Sequence, residues 1–160
     1  MDITLLVFYS VLALGISFIC SILEAVVLSV PHTHIAVLQK EGKKSGALWA
    51  RLKDDDAVKP LTAILTLNTI AHTMGAAGVG SQVQTIWGEE YLTGASIILT
   101  IAVLFFSEIV PKTLGTAYWK KLVPVTGFIL RYMIKSLAFI IIPIQILKSI
   151  LPEGGSKLVT

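Results

Sequence analysis

The chain has little cysteine and little charge. Cys20 is the single cysteine among 160 residues, which excludes an internal disulfide and any cysteine-rich zinc site. Charged residues make up 14% of the chain and hydrophobic ones 54%, where globular domains carry roughly a quarter charged. With a mean hydropathy of +0.80, there is too little polar surface to wrap a water-facing shell around a core, and one membrane domain is the expectation. The net charge of +3 sits in short patches between apolar stretches, with no aromatic-interleaved basic face, so nucleic acid is not an expected partner. Neither a His-Glu-x-x-His nor a Gly-x-Ser-x-Gly run occurs. An intramembrane enzyme built on Glu24, Glu108 and His72 is therefore the least favoured reading, and no enzyme is expected.

What is present is a set of long apolar stretches. Residues 3–30 carry Glu24 as their only charge and exceed the ~20 residues needed to span hydrocarbon. No basic segment precedes them, so the stretch reads as a retained span rather than a cleaved signal. Residues 60–87 contain no Asp, Glu, Lys or Arg, open on Pro60 and close on Trp87, as a second span would. A third is expected over 91–119, between the interfacial aromatics Tyr91 and Trp119. From 122 to 151, Arg131, Lys135 and Lys148 with Pro124 and Pro143 leave too short an uncharged run for a fourth span. That tail reads as a proline-broken pair of interfacial helices on membrane lipid, its cations snorkelling to headgroups. The sequence thus predicts an all-α membrane protein of three transmembrane helices and a juxtamembrane helical belt, with residues 152–160 as a linker leading to something cytoplasmic.

Orientation follows from the cations. The loop between the first two stretches holds Lys40, Lys43, Lys44, Arg51, Lys53 and Lys59, whereas Gly88-Glu89-Glu90 has none. The positive-inside rule makes the long loop cytoplasmic, with the N-terminus outside and the C-terminus inside a plasma (inner) membrane. Within that loop, Ile35, Leu38, Leu48, Trp49 and Leu52 suggest an amphipathic helical hairpin around Gly42 and Gly46, turned back by Asp54-Asp55-Asp56.

Carboxylates inside apolar stretches cost roughly 2.5 to 3.5 kcal/mol near a bilayer centre and need partners. Ser17, Ser21, Glu24 and Leu28 recur at helical spacing on one face, and Asn68 with Thr69 and His72 forms a polar patch on the second stretch. Counted from the cytoplasmic ends, Glu24 and Asn68 lie ~9 and ~12 Å deep at 1.5 Å per residue, so they can share a layer. Glu108 joins it if the third helix continues past Pro111. Pro111 removes one helical hydrogen bond next to Glu108, and Gly115 loosens the same turn. Carboxylate, amide, hydroxyl and freed carbonyl oxygens form a hard donor set suited to Mg²⁺ or Na⁺. Alternatives stay open: Ser17 as a packing residue, Asn68 as interhelical glue, His72 as a satisfied packing residue, and Gly75, Gly78 and Gly80 as a close-contact or dimer surface.

Four runs, Ser21–Ser29 (SILEAVVLS), Gln39–Gly42 (QKEG), Leu61–Ala71 (LTAILTLNTIA) and above all Ser107–Gly115 (SEIVPKTLG), resemble the transmembrane domain of the CNNM/CorC family of magnesium transport proteins. The resemblance implies a homodimer with a cytoplasm-open acidic cavity and Na⁺-driven Mg²⁺ efflux. It implies Mg²⁺ ligands at Ser21, Asn68 and Glu108, with carbonyls from the turn between Pro111 and Gly115 and from Ala25. Glu24 would ligate, line the Na⁺ path, or only make the cavity acidic. Ser17, Thr69, Pro111, Lys112 and Thr113 would lie along the transport pathway or in the helix distortion. Family members also carry a cytoplasmic CBS-domain pair that can bind ATP, too large for the residues after Leu151, so nucleotide control is not expected of this chain. The competing reading is a non-transporting, ion-sensing membrane anchor for such domains.

Overall fold

The computed structural model describes residues 2–150, so the linker expected over 152–160 lies outside the described residues. Within them the chain is helical throughout, with no strand. The first helix, α1 (Asp2–Ser29), stops where Pro31 disfavours helical geometry at the residue before it. The expected hairpin follows as α2 (His32–Lys40) and α3 (Lys44–Leu52). Its turn is Gly42, whose φ of +69° suits a residue without a Cβ. A short 3₁₀ turn, Asp54–Ala57, carries positive φ at Asp55, Asp56 and Ala57 and reverses the chain into α4 (Val58–Trp87). After Gly88 and a second 3₁₀ turn, Glu89–Tyr91, come α5 (Leu92–Ala102), a π-helical segment (Val103–Ile109), α6 (Val110–Ser136) and α7 (Ala138–Ile150).

The last third departs from the sequence expectation in two ways. α6 does not break at Pro124 but runs through it to Ser136. A proline inside a helix deletes one backbone donor, and Pro124 is itself exposed, so its ring has room outside the packed face. The distortion expected between Pro111 and Gly115 instead precedes the proline. Residues 111–115 are regular α-helix, and the widened turns are those of Val103–Ile109, closed by a bond from the Val110 amide to the Phe105 carbonyl, five residues back. Pro111 directly follows the widened turns inside a continuous helical rod, where its missing N–H removes one backbone donor.

Helix α1 is the centre of the packing, in contact with α4, the π segment and α6, while α4 and α6 also touch each other. The approaches are close because small residues meet there. A Cβ on Gly115 would stand 2.7 Å from the Ala25 methyl and 3.0 Å from the Ile22 carbonyl, and one on Gly75 would collide with the Ala13 methyl. The buried core gathers at the end of the molecule that holds the hairpin: Leu23, Val26, Val27 and Val30 of α1, Trp49 of α3, and Val123 and Leu130 of α6. Trp49 is fully buried and its indole N–H donates to the Val123 carbonyl at 2.7 Å, which clamps the hairpin onto α6. At the far end, Ile97, Ile98 and Ile101 of α5 are exposed. Two runs, Ile3–Ser29 and Glu89–Ser136, are long and apolar enough to cross a membrane. Helix α4 has the length, but Asn68, His72, Gln82 and Gln84 lower its apolarity.

One contact ties the loop to the end of α1. Pro31 has no N–H for the Val27 carbonyl, and the Lys53 ammonium donates to that carbonyl instead, at 2.7 Å. Partial burial holds the Lys53 pKa below the usual lysine range. Replacing Lys53 by Met keeps most of the packing stem and removes the donor, so thermal unfolding in detergent should show a loss of about 1–3 kcal/mol. An unchanged melting midpoint would show that the carbonyl needs no partner.

Candidate ion site between α1, α4 and α6

The contacts between helices fix their register. Helix α1 runs antiparallel to α4, with Tyr9 against Gly78, Ala13 against Gly75, and Ser17 Oγ 2.7 Å from His72 Nε2 in a hydrogen bond. One more helical turn along each places Ser21 level with Asn68. Helix α1 runs parallel to the third helical rod, with the Ser107 hydroxyl donating to the Leu14 carbonyl at 2.9 Å and Ala25 against Gly115. The polar residues therefore fall into tiers along α1 rather than one flat layer.

The first tier is Ser17, His72 and Glu108. His72 and the half-buried Glu108 line a cleft of about 280 Å³ between α4 and the α5–π segment. The second is Ser21 and Asn68. Ser21 is buried at 2% exposure, and Asn68 Oδ1 is buried with no hydrogen-bond partner among the described residues. A buried, unmet amide oxygen costs about 1–3 kcal/mol and is rare in native proteins. The third is Glu24, which lines a cleft of about 330 Å³ with Asn68. Its carboxylate is 3.3 Å from the Lys112 ammonium, a half-exposed pair of the kind that contributes little stability.

Other expected residues divide cleanly. Ala25 and Gly115 are buried against each other and make the α1–α6 contact. Pro111 is fully buried at the start of α6. Thr69 and Thr113 are exposed, and their hydroxyls donate back to the Leu65 and Ile109 carbonyls of their own helices, a common way to satisfy a hydroxyl in an apolar helix. Neither faces the tiers. His72, which a lone-residue argument leaves as packing, shares a cleft with Glu108. Its place four residues after Asn68 was the signal that both occupy one face. Ser107, which sequence reasoning passed over, fastens the π segment to α1. No group of three or more His, Cys, Asp or Glu side chains forms a metal cluster among the described residues. Any cation here would rely on amide, hydroxyl and carbonyl oxygens beside single carboxylates.

Comparison with known proteins adds two findings. The family described as the cyclin M (CNNM) transmembrane N-terminal domain matches residues 8–156. UPF0053 protein sll1254 from Synechocystis sp. (strain ATCC 27184 / PCC 6803 / Kazusa) is 30% identical over 100 residues, which is 62% of this chain and 29% of that protein. The match therefore spans under a third of the relative's length.

The unmet Asn68 oxygen yields a direct test. Asn68→Leu removes a buried polar atom that no donor among the described residues serves, so its melting midpoint in ion-free detergent buffer should equal or exceed the wild-type value. A drop of about 1 kcal/mol or more would mean that Asn68 is structural glue.

Proposed function

The chain belongs to the CNNM family of ion-handling membrane domains, and from that premise we propose that it carries Mg²⁺ across the plasma membrane between three spans, α1, α4 and the α5–π–α6 rod. The observation that carries the reading is the buried Asn68 oxygen without a protein donor, level with Ser21 and in one cleft with Glu24. A buried oxygen facing a cleft without a donor is a preorganised ligand for a hard cation. Ser21 and Asn68 are the neutral ligands, and Glu108 supplies the charge that offsets dehydration of a divalent ion. Glu24 draws cations into the cleft, where an arriving ion competes with Lys112 for its carboxylate.

Glu108 stands one tier away from Asn68, and the π segment is the means to bring them together. A π turn holds one residue more than an α turn, so its closure would rotate Glu108 about the helix axis. Alternation between the two windings would move the carboxylate between the His72 cleft and the Asn68 tier. Inward Na⁺ is the coupling ion in this reading. The chain works as a homodimer whose exposed α5 face meets lipid or the second copy, beneath a cytoplasmic CBS pair in the longer protein.

Proteoliposomes loaded with Mg²⁺ and facing external Na⁺ test this. Wild type should release Mg²⁺, Asn68→Ala should slow release about tenfold, and Glu108→Ala should slow it about a hundredfold. Pro111→Ala, which restores a backbone donor beside Glu108, should also slow it. Saturable Mg²⁺ binding with the ion trapped inside would replace transport by an ion-sensing anchor.

A further inference from the structure

On the hairpin side, Lys44 and Arg51 of α3, Lys59 of α4 and Arg131 of α6 converge on a cavity of about 350 Å³. Among the described residues no acidic side chain lines it, although Asp54, Asp55 and Asp56 precede Lys59 in the chain. Neither Lys43 with Glu41 nor Lys112 with Glu24, ion pairs seen among the described residues, draws on any of the four cations. All four are exposed, and like charges gathered from three helices give the cavity a positive potential that attracts an anion. The cavity is not purely polar: Leu48 and Ile134 also line it.

Its position separates a lipid from a soluble anion. Lys59 immediately precedes Pro60, where the uncharged stretch of α4 begins. On α6, exposed Phe128 and Tyr132 flank Arg131, their rings 4.8 Å apart. Exposed aromatics beside cations mark the headgroup level of a membrane protein. Basic pockets at the cytoplasmic ends of spans fit anionic headgroups.

We propose that this cavity binds the phosphate headgroup of an anionic phospholipid, with the four cations around the phosphate and Leu48 and Ile134 against the glycerol and upper acyl carbons. Because three separate parts of the chain contribute, the bound lipid staples the hairpin to α4 and α6. The inference rests on the membrane reading of the helices and is independent of the ion tiers.

The test is thermal unfolding of the full chain in detergent micelles doped with phosphatidylglycerol, with phosphatidylcholine and sodium phosphate as parallel additions. Phosphatidylglycerol should raise the wild-type midpoint saturably, and the other two should not. Arg51→Gln with Arg131→Gln should weaken the apparent affinity about thirtyfold, at roughly fivefold per cation. If that variant loses helical circular dichroism, the rim pair Lys44→Gln with Lys59→Gln is read instead, with the same expected loss. Lys120→Gln with Lys121→Gln, outside the cavity, should leave the effect intact. Equal stabilisation by sodium phosphate would make the ligand a soluble anion. Equal weakening by the Lys120 and Lys121 changes would make it diffuse charge attraction, and a cavity variant that alters oligomeric state in native mass spectrometry would make the occupant a second copy. Each of these overturns the proposal.

Discussion

Gly115 has no side chain, and for that reason α6 can lie against α1 closely enough for the Ala25 methyl to occupy the space a Cβ would need. Gly75 does the same for α4 against Ala13 on another face of α1. In a lipid setting, where apolar burial between helices gives little drive, such close backbone approach is a principal source of association through dispersion contacts. The contacts come in two registers, antiparallel to α4 and parallel to α6, and every polar residue of the interior takes its height from them. A larger residue at either glycine would push the helices apart and open the tiers that Ser17, Ser21, Asn68 and Glu108 occupy.

That constraint also explains which polar groups are satisfied. Close helices bring Ser17 to His72 and Ser107 to the Leu14 carbonyl, so these groups act as structural pairs. Asn68 lies where the same approach buries its oxygen without bringing a donor. One unmet acceptor among met ones is a local conflict between packing and polarity. Such conflicts are expected where a sequence serves function rather than stability alone. Glu24 and Lys112 offset each other at the half-exposed end of the same cleft. The site thus has buried neutral oxygens on Ser21 and Asn68 and charge at its half-exposed end.

Much of this was legible in the amino-acid order. Gly42 marked the hairpin turn because a residue without a Cβ has a local backbone consequence that overrides neighbours, and the charge-free run closing on Trp87 marked α4. The face shared by Ser17, Ser21 and Glu24 followed from helical periodicity. Less legible was the winding around Glu108. Pro111 signalled a perturbed helix, but the surplus residue falls on its N-terminal side, where Ser107 is bonded to α1, and a tertiary hydrogen bond leaves no periodic trace. Pro124 misled for the complementary reason. Local rules disfavour it in a helix, yet α6 is held on both sides of it, by Gly115 against α1 and by Val123 and Gly127 against Trp49. The tier separating Asn68 from Glu108 was also hidden, since depth counted from span ends ignores how three helices slide against one another.

In the proposed function, the oxygens between α1, α4 and α6 form a cation site rather than interhelical glue. The most direct measurement is calorimetric titration of the purified chain with Mg²⁺, first without and then with Na⁺. Saturable binding that Na⁺ weakens is the expected result. Only dilution heats, identical in both buffers, would contradict it and leave the buried Asn68 oxygen as a structural cost without a ligand.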